Sequence, residues 1–433
     1  MSSVYPKNVD EVAHDILGYS RWWQIAAAAV MMALVSPYQY VWSSLEGPLA
    51  AELDASLSAL GFVFTAYVVI MALVQFPAGW WRDRHGPSVV TLIAGVLAGG
   101  GYVGLAFATE LWQVYLAYGL GAAGVGMVYT VAVNTAVKWF PDKRGLTTGI
   151  GTMAFAAGSA AFVPFIRYMI AGDALTTGLW SMGLLIAVGI VVGTVVLKDP
   201  PHGWALEGES STSGSSGTES ESETIADGSG GRRHYTWREM VRTWQFWVMY
   251  FMFFAVSAAG LMITARTILY AEAVGLTAVT ATVAATLLPV GSAAGRLIVG
   301  ALSDRFDREL ITAVSFVLCG VATLAIVAFG ILGSGVGFIV AVAIAVFFWS
   351  SQFSLFPSLV GDYYGSRYSS ANYSLVYSGK MWGGVFGGGV VGWLVVVIGW
   401  DATFIVGGVL ALAAGAVGFL LRPPTAGTSG TET

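Results

Sequence analysis

Two basic residues interrupt long apolar stretches of this sequence. Arg296 lies within residues 281–302, and Lys380 lies within residues 369–400. At the helical rise of 1.5 Å per residue, Arg296 is about 12 Å from Asp304 and Lys380 is about 16 Å from Ser369. A charge this deep in a membrane about 30 Å thick costs roughly 3 kcal/mol or more. Neither side chain can face lipid, so each needs a partner or a wet cavity.

No carboxylate is placed to neutralise these two cations. Glu46 and Glu52 lie near the end of the first apolar stretch, and Glu272 lies in a predicted loop. Two unpaired cations therefore predict an external anion as their partner. Arginine offers a planar fork that matches a carboxylate, and lysine acts as a point charge. The alternative is that either cation snorkels to the membrane surface or pairs with a carboxylate elsewhere in the fold.

Aromatic and amide side chains are placed to wall such an anion site. Tyr373, Tyr377 and Lys380 share one helical face, because residues three and four apart are neighbours on a helix. The candidates for the walls are Gln39, Tyr129, Trp349, Phe353, Tyr373 and Tyr377. Aromatic walls exclude water and strengthen charge interactions. Ordinary packing within a helix bundle is the alternative explanation for each aromatic residue.

The elements that must position these residues are membrane-spanning helices. The chain has 433 residues, of which 56% are hydrophobic and 10% charged, whereas soluble domains are about 25% charged. A span needs about 20 apolar residues, and twelve stretches qualify. Numbered in order, they are residues 22–44, 58–81, 88–108, 112–137, 146–170, 175–197, 244–268, 278–302, 310–331, 335–360, 369–398 and 402–421. The predicted fold class is an all-α integral membrane protein with twelve transmembrane helices.

The spans fall into two bundles of six. We predict an N-terminal segment at 1–21, six-helix bundles at 22–197 and 244–421, a linker at 198–243 and a tail at 422–433. The linker is acidic, and its centre, residues 208–231, is rich in Ser, Gly, Glu and Thr without apolar periodicity, which predicts disorder.

The distribution of basic residues predicts the orientation. With the N-terminus in the cytoplasm, sixteen of the twenty Lys and Arg residues are cytoplasmic, and only Arg167 and Arg266 lie outside. This asymmetry follows the positive-inside rule. We therefore expect a multi-pass protein of the plasma membrane with both termini in the cytoplasm.

A short motif occurs once in each half. Gly79 and Asp83-Arg84 follow the second span, and Gly300 and Asp304-Arg305 follow the eighth, at an offset of 221 residues. Two homologous six-helix halves in parallel orientation are a transporter design, in which the substrate is held between the halves near the midplane. We predict that both copies, Gly79/Asp83/Arg84 and Gly300/Asp304/Arg305, form gating contacts. The alternative for the arginines is positive-inside topology alone.

The first copy, GWWRDRHG at residues 79–86, resembles the loop 2–3 signature of the major facilitator superfamily. The second copy departs from it, with Asp307 in place of a glycine. Within the superfamily the chain resembles the oxalate/formate antiporter family and its monocarboxylate-transporter relatives. The stretches that carry this resemblance are PYQY at 37–40, KWFPDKRG at 138–145, GR at 295–296 and NYSLVYSGK at 372–380.

The resemblance implies roles for several residues. Family members hold the carboxylates of the substrate with an Arg in span 8 and a Lys in span 11, which correspond to Arg296 and Lys380. The resemblance also implies that Asp83, with Arg84, latches the cytoplasmic side of the outward-open state. An oxalate carrier would be expected to have a hydroxyl-bearing aromatic residue at Phe353 and a tryptophan at Tyr377, so these two positions depart from the pattern.

These observations predict a secondary transporter that exchanges small organic anions, such as oxalate and formate, by alternating access. Two alternatives stay open: a proton-coupled monocarboxylate symporter, with Glu46 or Lys380 carrying the proton, and a membrane sensor that does not transport. The chain shows no catalytic constellation, phosphate loop or metal-ligand spacing, and its one cysteine is Cys319. We expect no enzymatic activity, cofactor, metal or nucleic-acid partner, and a monomer whose partners are the anion and the lipid bilayer.

Overall fold

The computed structural model describes residues 9–55, 57–201 and 234–424. Within these segments all regular structure is helical. Eleven helices are long and apolar enough to cross a membrane, and one bent helix pair completes a twelfth span. The predicted class, an all-α membrane protein with twelve spans, is confirmed.

The spans keep the order and approximate bounds that the sequence predicts. Span 1 is broken into Trp22–Val35, Pro37–Tyr40 and Trp42–Glu52. The bend of 54° lies between the first two pieces together and the third. Spans 2 to 12 are Leu57–His85, Ser88–Ala106, Leu111–Trp139, Arg144–Ala171, Leu175–Val196, Trp244–Ala273, Ala278–Ser303, Arg308–Ile331, Gly335–Tyr364, Ser369–Ile398 and Trp400–Gly418. Two short helices, Val9–Leu17 and Trp237–Met240, lie outside the spans.

Several spans are interrupted along their length. Span 5 consists of Arg144–Ala157 and Ser159–Ala171, and span 10 consists of Gly335–Ser350 and Gln352–Tyr364. Span 11 contains Ser369–Tyr377, Gly379–Val385, a π-helical turn at Phe386–Val390, and Val391–Ile398. π-helical turns are rare and often occur at functional sites.

Glycines allow the helices of each half to pack closely in equivalent places. A Cβ atom added at Gly99 of span 3 would lie 2.6 Å from the Gly183 carbonyl oxygen of span 6. A Cβ atom added at Gly320 of span 9 would lie 2.8 Å from the Gly408 carbonyl oxygen of span 12. Gly99 and Gly320 are 221 residues apart, the offset of the repeated motif. Close approach through small residues is how helices pack in lipid, where burial of apolar surface gives little driving force.

The two halves meet along two pairs of spans. Span 2 packs against span 11, and span 5 packs against span 8. Spans 2 and 8 end, and spans 5 and 11 begin, at the same end of the bundle. We call this the basic end, because Arg82, Arg144 and Arg308 lie there. The other end is called the opposite end.

The two ends of the predicted disordered linker, residues 198–243, contact the helix bundles in the structure. The Trp139 indole N–H donates to the Lys198 carbonyl at 2.7 Å, and the Tyr235 N–H donates to the Tyr364 carbonyl at 2.9 Å. Both flanks are therefore packed on the bundles, because their backbone groups find partners there. The predicted disordered centre, residues 208–231, lies outside the described residues, as do residues 1–8 and 425–433.

Candidate functional site

Arg296 is held at the interface between the two halves. Its Nη1 donates to the main-chain carbonyl of Thr152 in span 5 at 2.8 Å, and only 2% of the residue is exposed. Spans 5 and 8 are close here because Gly149 has no side chain: an added Cβ atom would lie 2.6 Å from the Arg296 carbonyl oxygen. The Ser354 hydroxyl of span 10 donates to that same carbonyl at 2.8 Å. The Arg296 guanidinium therefore contacts the N-terminal half although it belongs to the C-terminal half.

Lys380 is buried in span 11 and has an aromatic environment. Its Nζ donates to the Tyr377 hydroxyl at 3.0 Å, and 5% of the residue is exposed. One turn along the helix, an added Cβ atom at Gly383 would lie 2.5 Å from Ser257 Cβ, so span 11 packs closely on span 7.

Phe353 of span 10 is shared by the two cations. Its ring centroid lies 4.5 Å from Arg296 Cζ and 5.2 Å from Lys380 Nζ. Cations over an aromatic ring are stabilised by about 2 kcal/mol or more where water is excluded. The structure thus brings together two residues 84 positions apart in the sequence and places both charges against one apolar, electron-rich ring.

No carboxylate in the described ranges is a polar partner of these two cations. Their partners include a carbonyl oxygen, the Tyr377 hydroxyl, the side chain of Tyr40, and the rings of Phe353 and Tyr377. Among the described residues, Arg296 Nε and Gln39 Oε1 are buried and lack a hydrogen bond of normal geometry. A buried polar group without a partner costs about 1–3 kcal/mol, and more when it is charged. The site therefore contains buried hydrogen-bonding atoms without a partner, and positive charge that no described carboxylate neutralises.

The predicted wall residues form a connected aromatic cluster. Tyr377 lies 5.0 Å from Tyr129, 5.8 Å from Tyr373 and 6.1 Å from Phe353, measured between ring centroids. Trp349 lies 5.9 Å from Phe353 and packs on the bare backbone of Gly260 in span 7. Tyr129 comes from span 4 and Tyr377 from span 11, so the cluster also spans the interface between the halves.

Three residues near Arg296 are not among the candidates that the sequence suggested. Thr152 accepts through its backbone carbonyl, a role that carries no side-chain signal. Tyr40 lies beside the Arg296 guanidinium, and Phe155 contacts Tyr40 and Tyr129 at 6.0 and 5.7 Å between centroids. Tyr40 adjoins Gln39 in the four-residue helical piece of span 1, and the sequence alone does not show which of the two side chains faces Arg296.

The first copy of the repeated motif joins span 2 to the start of span 11. A Cβ atom added at Gly79 would lie 2.6 Å from the Ser370 carbonyl oxygen, so only glycine permits this approach. One turn later, the Asp83 carboxylate accepts from the Ala371 backbone N–H at 2.9 Å. This N–H is one of the first amides of a helix, where a negative charge is favourable. Asp83 therefore caps a helix of the other half.

The second copy makes the corresponding contact between span 8 and the start of span 5. The Asp304 carboxylate accepts from the backbone N–H groups of Gly145 and Leu146, each at 2.8 Å. Gly300 lies against the Gly145 carbonyl without room for a side chain. Burial raises the pKa of Asp304, while the two N–H groups and Arg308 act in the opposite direction.

The arginines that link these contacts differ from the two in the predicted motif. Arg84 lies over the Trp80 ring at 3.9 Å, and Arg305 is exposed. Arg82 is instead fully buried and donates to Ser370 and to Asp199. The structure therefore places Arg82 in the contact between spans 2 and 11, where the sequence interpretation had placed Arg84.

A corresponding network of charges surrounds Asp304. Arg308 contacts both Asp304 and Asp362, and Arg144 of the N-terminal half donates to Asp362 at 2.6 Å.

Asp199, at the start of the linker, pairs with Arg82 and Lys138 at 2.8 and 3.3 Å. Burial alone would raise the pKa of Asp199, but these two charges hold it below its ordinary value.

Two repeated six-helix halves around a buried cationic site define a membrane transporter class. The sequence profile of the Major Facilitator Superfamily matches residues 24–376. The chain belongs to this family.

Relatives in sequence include proteins that match most of the chain and others that match less than half of it. The oxalate:formate antiporter of Oxalobacter formigenes is 29% identical over 404 residues, covering 93% of this chain and 92% of the relative. An uncharacterised transporter of the same superfamily, YhjX of Escherichia coli K12, is 27% identical and covers 78% and 80%. Human monocarboxylate transporter 11 is 26% identical over 186 residues, covering 41% of this chain and 40% of the relative.

Solved structures share the fold. The E. coli fucose:proton symporter FucP superposes with a TM-score of 0.69 at 15% identity, covering 93% of this chain and 99% of that one. The proton:xylose symporter XylE superposes with a TM-score of 0.73 at 13% identity, covering 92% and 95%. At these identities the likeness establishes the fold alone.

Proposed function

We propose that this protein is a secondary transporter that exchanges small carboxylate anions across the plasma membrane by alternating access. The observation that carries the proposal is the buried pair Arg296 and Lys380, which share Phe353 and contact no carboxylate in the part of the chain that the structure describes. The similarity to an oxalate:formate antiporter over most of the chain supports the same substrate class. We propose no catalytic activity and no cofactor.

The chemistry of the two cations favours a carboxylate ligand. Arg296 Nε has no hydrogen bond of normal geometry, and a guanidinium binds a carboxylate through two parallel N–H groups. Lys380 donates to a phenol, the Tyr377 hydroxyl, and an anionic oxygen in its place would form a stronger, charge-assisted bond. A dicarboxylate could contact both cations, whereas two monocarboxylates could bind in turn. Tyr129, Tyr373, Tyr377, Trp349 and Gln39 form the proposed walls of this site.

The cost of an empty site favours exchange over one-way transport. Two cations without counter-ions in a water-poor environment are expensive to move through the membrane. A bound anion neutralises them, so the halves should rearrange faster when loaded. Exchange of one anion for another follows, because each reorientation then requires substrate.

We propose that the basic end faces the cytoplasm, as the distribution of Lys and Arg indicates. Asp83 and Asp304, with Gly79 and Gly300, then form the contacts that close the cytoplasmic side. Arg84 and Arg305 are proposed to contribute surface charge there. Both closing contacts join opposite halves, so they must break when the cytoplasmic side opens.

The proposal is tested by reconstituting the protein into vesicles loaded with unlabelled oxalate and following labelled oxalate uptake, with formate, lactate and pyruvate as competitors. Fast uptake only into loaded vesicles is the expected result. Arg296→Gln and Lys380→Gln should each abolish it, because oxalate would lose one of its two cationic partners in a water-poor site. Arg422→Gln is the matched control, since Arg422 is exposed in the described structure.

Two other results would redirect the interpretation. Uptake into empty vesicles, driven by a pH gradient alone, would favour a proton-coupled monocarboxylate symporter. Binding of a carboxylate without flux into either loaded or empty vesicles would favour a membrane sensor.

A further inference from the structure

The segment between the linker and span 7 touches both sides of the contact between spans 2 and 11. We call residues 235–240 the strap, which contains the short helix Trp237–Met240. The ring of Trp237 lies 5.5 Å from the ring of Phe76, measured between centroids, in an edge-to-face arrangement with an interplanar angle of 85°. Phe76 belongs to span 2, so the strap reaches across to the N-terminal half.

The strap is anchored to the C-terminal half. The Tyr235 N–H donates to the Tyr364 carbonyl at the end of span 10, and the Asn372 side-chain amide of span 11 donates to the Tyr235 carbonyl, each at 2.9 Å. The side chains of Asn372 and Met240 are fully buried. Because these anchors lie in spans 10 and 11, the strap should move with the C-terminal half.

The turn that carries Trp237 is closed by a reciprocal pair of hydrogen bonds. The Thr236 hydroxyl accepts from the Glu239 N–H at 3.4 Å, and the Glu239 carboxylate accepts from the Thr236 N–H at 2.8 Å. Such a capping box satisfies two backbone donors at the start of a helix. Trp237 is the first residue of this helix, so the same two bonds hold its backbone in place.

The repeat of the two halves does not account for the ring contact. The offset of 221 residues continues to the start of spans 1 and 7, where Gln24 corresponds to Gln245. By the same offset the counterpart of Trp237 is Ile16, which carries no aromatic ring and is 46% exposed. The strap is therefore a feature of one half, added to the pair of contacts that the repeated motif makes.

We propose that the strap is a third closing contact at the basic end and that it must separate from Phe76 whenever this end opens. The inference rests on the proposed function, because a contact between the halves can regulate transport only if the halves move apart there. The strap moves with spans 10 and 11, whereas Phe76 moves with span 2. The ring contact therefore stabilises the closed state alone, and its strength sets how readily the basic end opens.

The first test measures the two states with spin labels at His85→Cys and Arg367→Cys, which are exposed positions on opposite halves at the basic end. Trp237→Ala should lower the ratio of closed to open protein by roughly twofold to tenfold, the scale of one aromatic pair. Trp237→Phe should keep most of the closed population, because it keeps a ring at this position.

Trp247→Ala is the matched control, because the Trp247 ring is exposed and contacts Phe246 and Tyr250 of its own helix. It should leave the label distances unchanged. Phe76→Ala should shift the ratio as Trp237→Ala does, and the double variant should shift it no further than either single variant. Additive shifts would overturn the inference, as would an unchanged ratio in folded Trp237→Ala or an equal shift in Trp247→Ala.

A reducible cross-link tests whether the strap must separate from span 2. Cys319 is buried, so Phe76→Cys and Trp237→Cys provide the two reactive thiols, which a bifunctional methanethiosulfonate reagent can join. Oxalate exchange should stop in the cross-linked double variant, return on reduction, and continue in each single variant treated with the same reagent. Full exchange by the cross-linked protein would overturn the inference alone. No exchange by the parent protein would contradict the proposed function, and the label distances would then decide the inference separately.

Discussion

Gly79→Ala tests whether the contact between spans 2 and 11 holds the basic end closed. The added Cβ atom would lie 2.6 Å from the Ser370 carbonyl oxygen and 2.7 Å from its carbonyl carbon. Both atoms are backbone, so no side chain can rotate away. The overlap can be relieved only if the two helices separate at this end. The separation would also lengthen the hydrogen bond between Asp83 and the Ala371 N–H.

The size of the effect follows from the geometry. Forcing an extra carbon into a well-packed contact costs typically about 1–3 kcal/mol. If the contact exists only when the basic end is closed, the whole cost falls on that state. The ratio of closed to open protein should then fall by roughly fivefold to 150-fold.

The population change can be measured with a pair of spin labels. His85→Cys at the end of span 2 and Arg367→Cys before span 11 place labels on opposite halves at exposed positions of the basic end. Buried Cys319 should not react. Pulsed electron-spin resonance should show one distance in the parent protein and a second, longer distance in Gly79→Ala.

The control is Gly100→Ala in span 3, where an added Cβ atom would meet no atom within 4 Å. The label distances should not change in this variant, although alanine also favours the helix there. An unchanged distance distribution in folded Gly79→Ala would refute the reasoning. So would an equal change in Gly100→Ala.

Two further predictions concern charge. Asp199→Asn should lower the free energy of unfolding by about 1–3 kcal/mol, because buried Arg82 loses a charged partner. Arg82 and Lys138 hold the pKa of Asp199 below its ordinary value. The stabilisation by Asp199 should therefore be complete above the ordinary pKa range of a carboxylate and be lost only as the pH falls below that range. Thermal unfolding of both proteins between neutral and acidic pH measures this dependence, and a stability difference that persists in strong acid would contradict the prediction. Phe353→Leu removes the ring shared by Arg296 and Lys380 and should weaken oxalate exchange. Phe353→Tyr keeps a ring and should retain most of the exchange activity. Equal flux in Phe353→Leu and the parent protein would exclude a role for the ring.

The sequence predicts the span pattern well because that pattern is local. Each span needs only a run of apolar residues long enough to cross a bilayer, and such runs are visible without knowledge of neighbouring helices. The breaks within spans are less visible. The bend of span 1 lies between Tyr40 and Ser44, where no proline marks it, and the π-helical turn of span 11 lies in a glycine-rich stretch that is also compatible with a regular helix.

The partners of the repeated Gly-xxx-Asp-Arg motif could not be predicted in the same way. The repeated glycine and aspartate indicate a shared role. The hydrogen-bond donor to Asp83, however, is the Ala371 N–H, which lies 288 residues further along the chain. A backbone amide has no sequence signature. The choice of Arg82 over Arg84 for the contact with Ser370 depends on the rotation of span 2 about its axis, which packing between the halves determines.

The sequence by itself determined that this chain is a twelve-span membrane protein with two repeated halves and two deep cations, because hydrophobic length, charge and repeat offset can each be read along one dimension. Only the tertiary structure decided that Arg296 and Lys380 share Phe353 and that Thr152 of the other half accepts from Arg296. These contacts depend on which face each helix turns toward its neighbours. In a lipid environment, where nearly every face of a span is apolar, close packing at small residues sets that rotation more than hydrophobic patterning does.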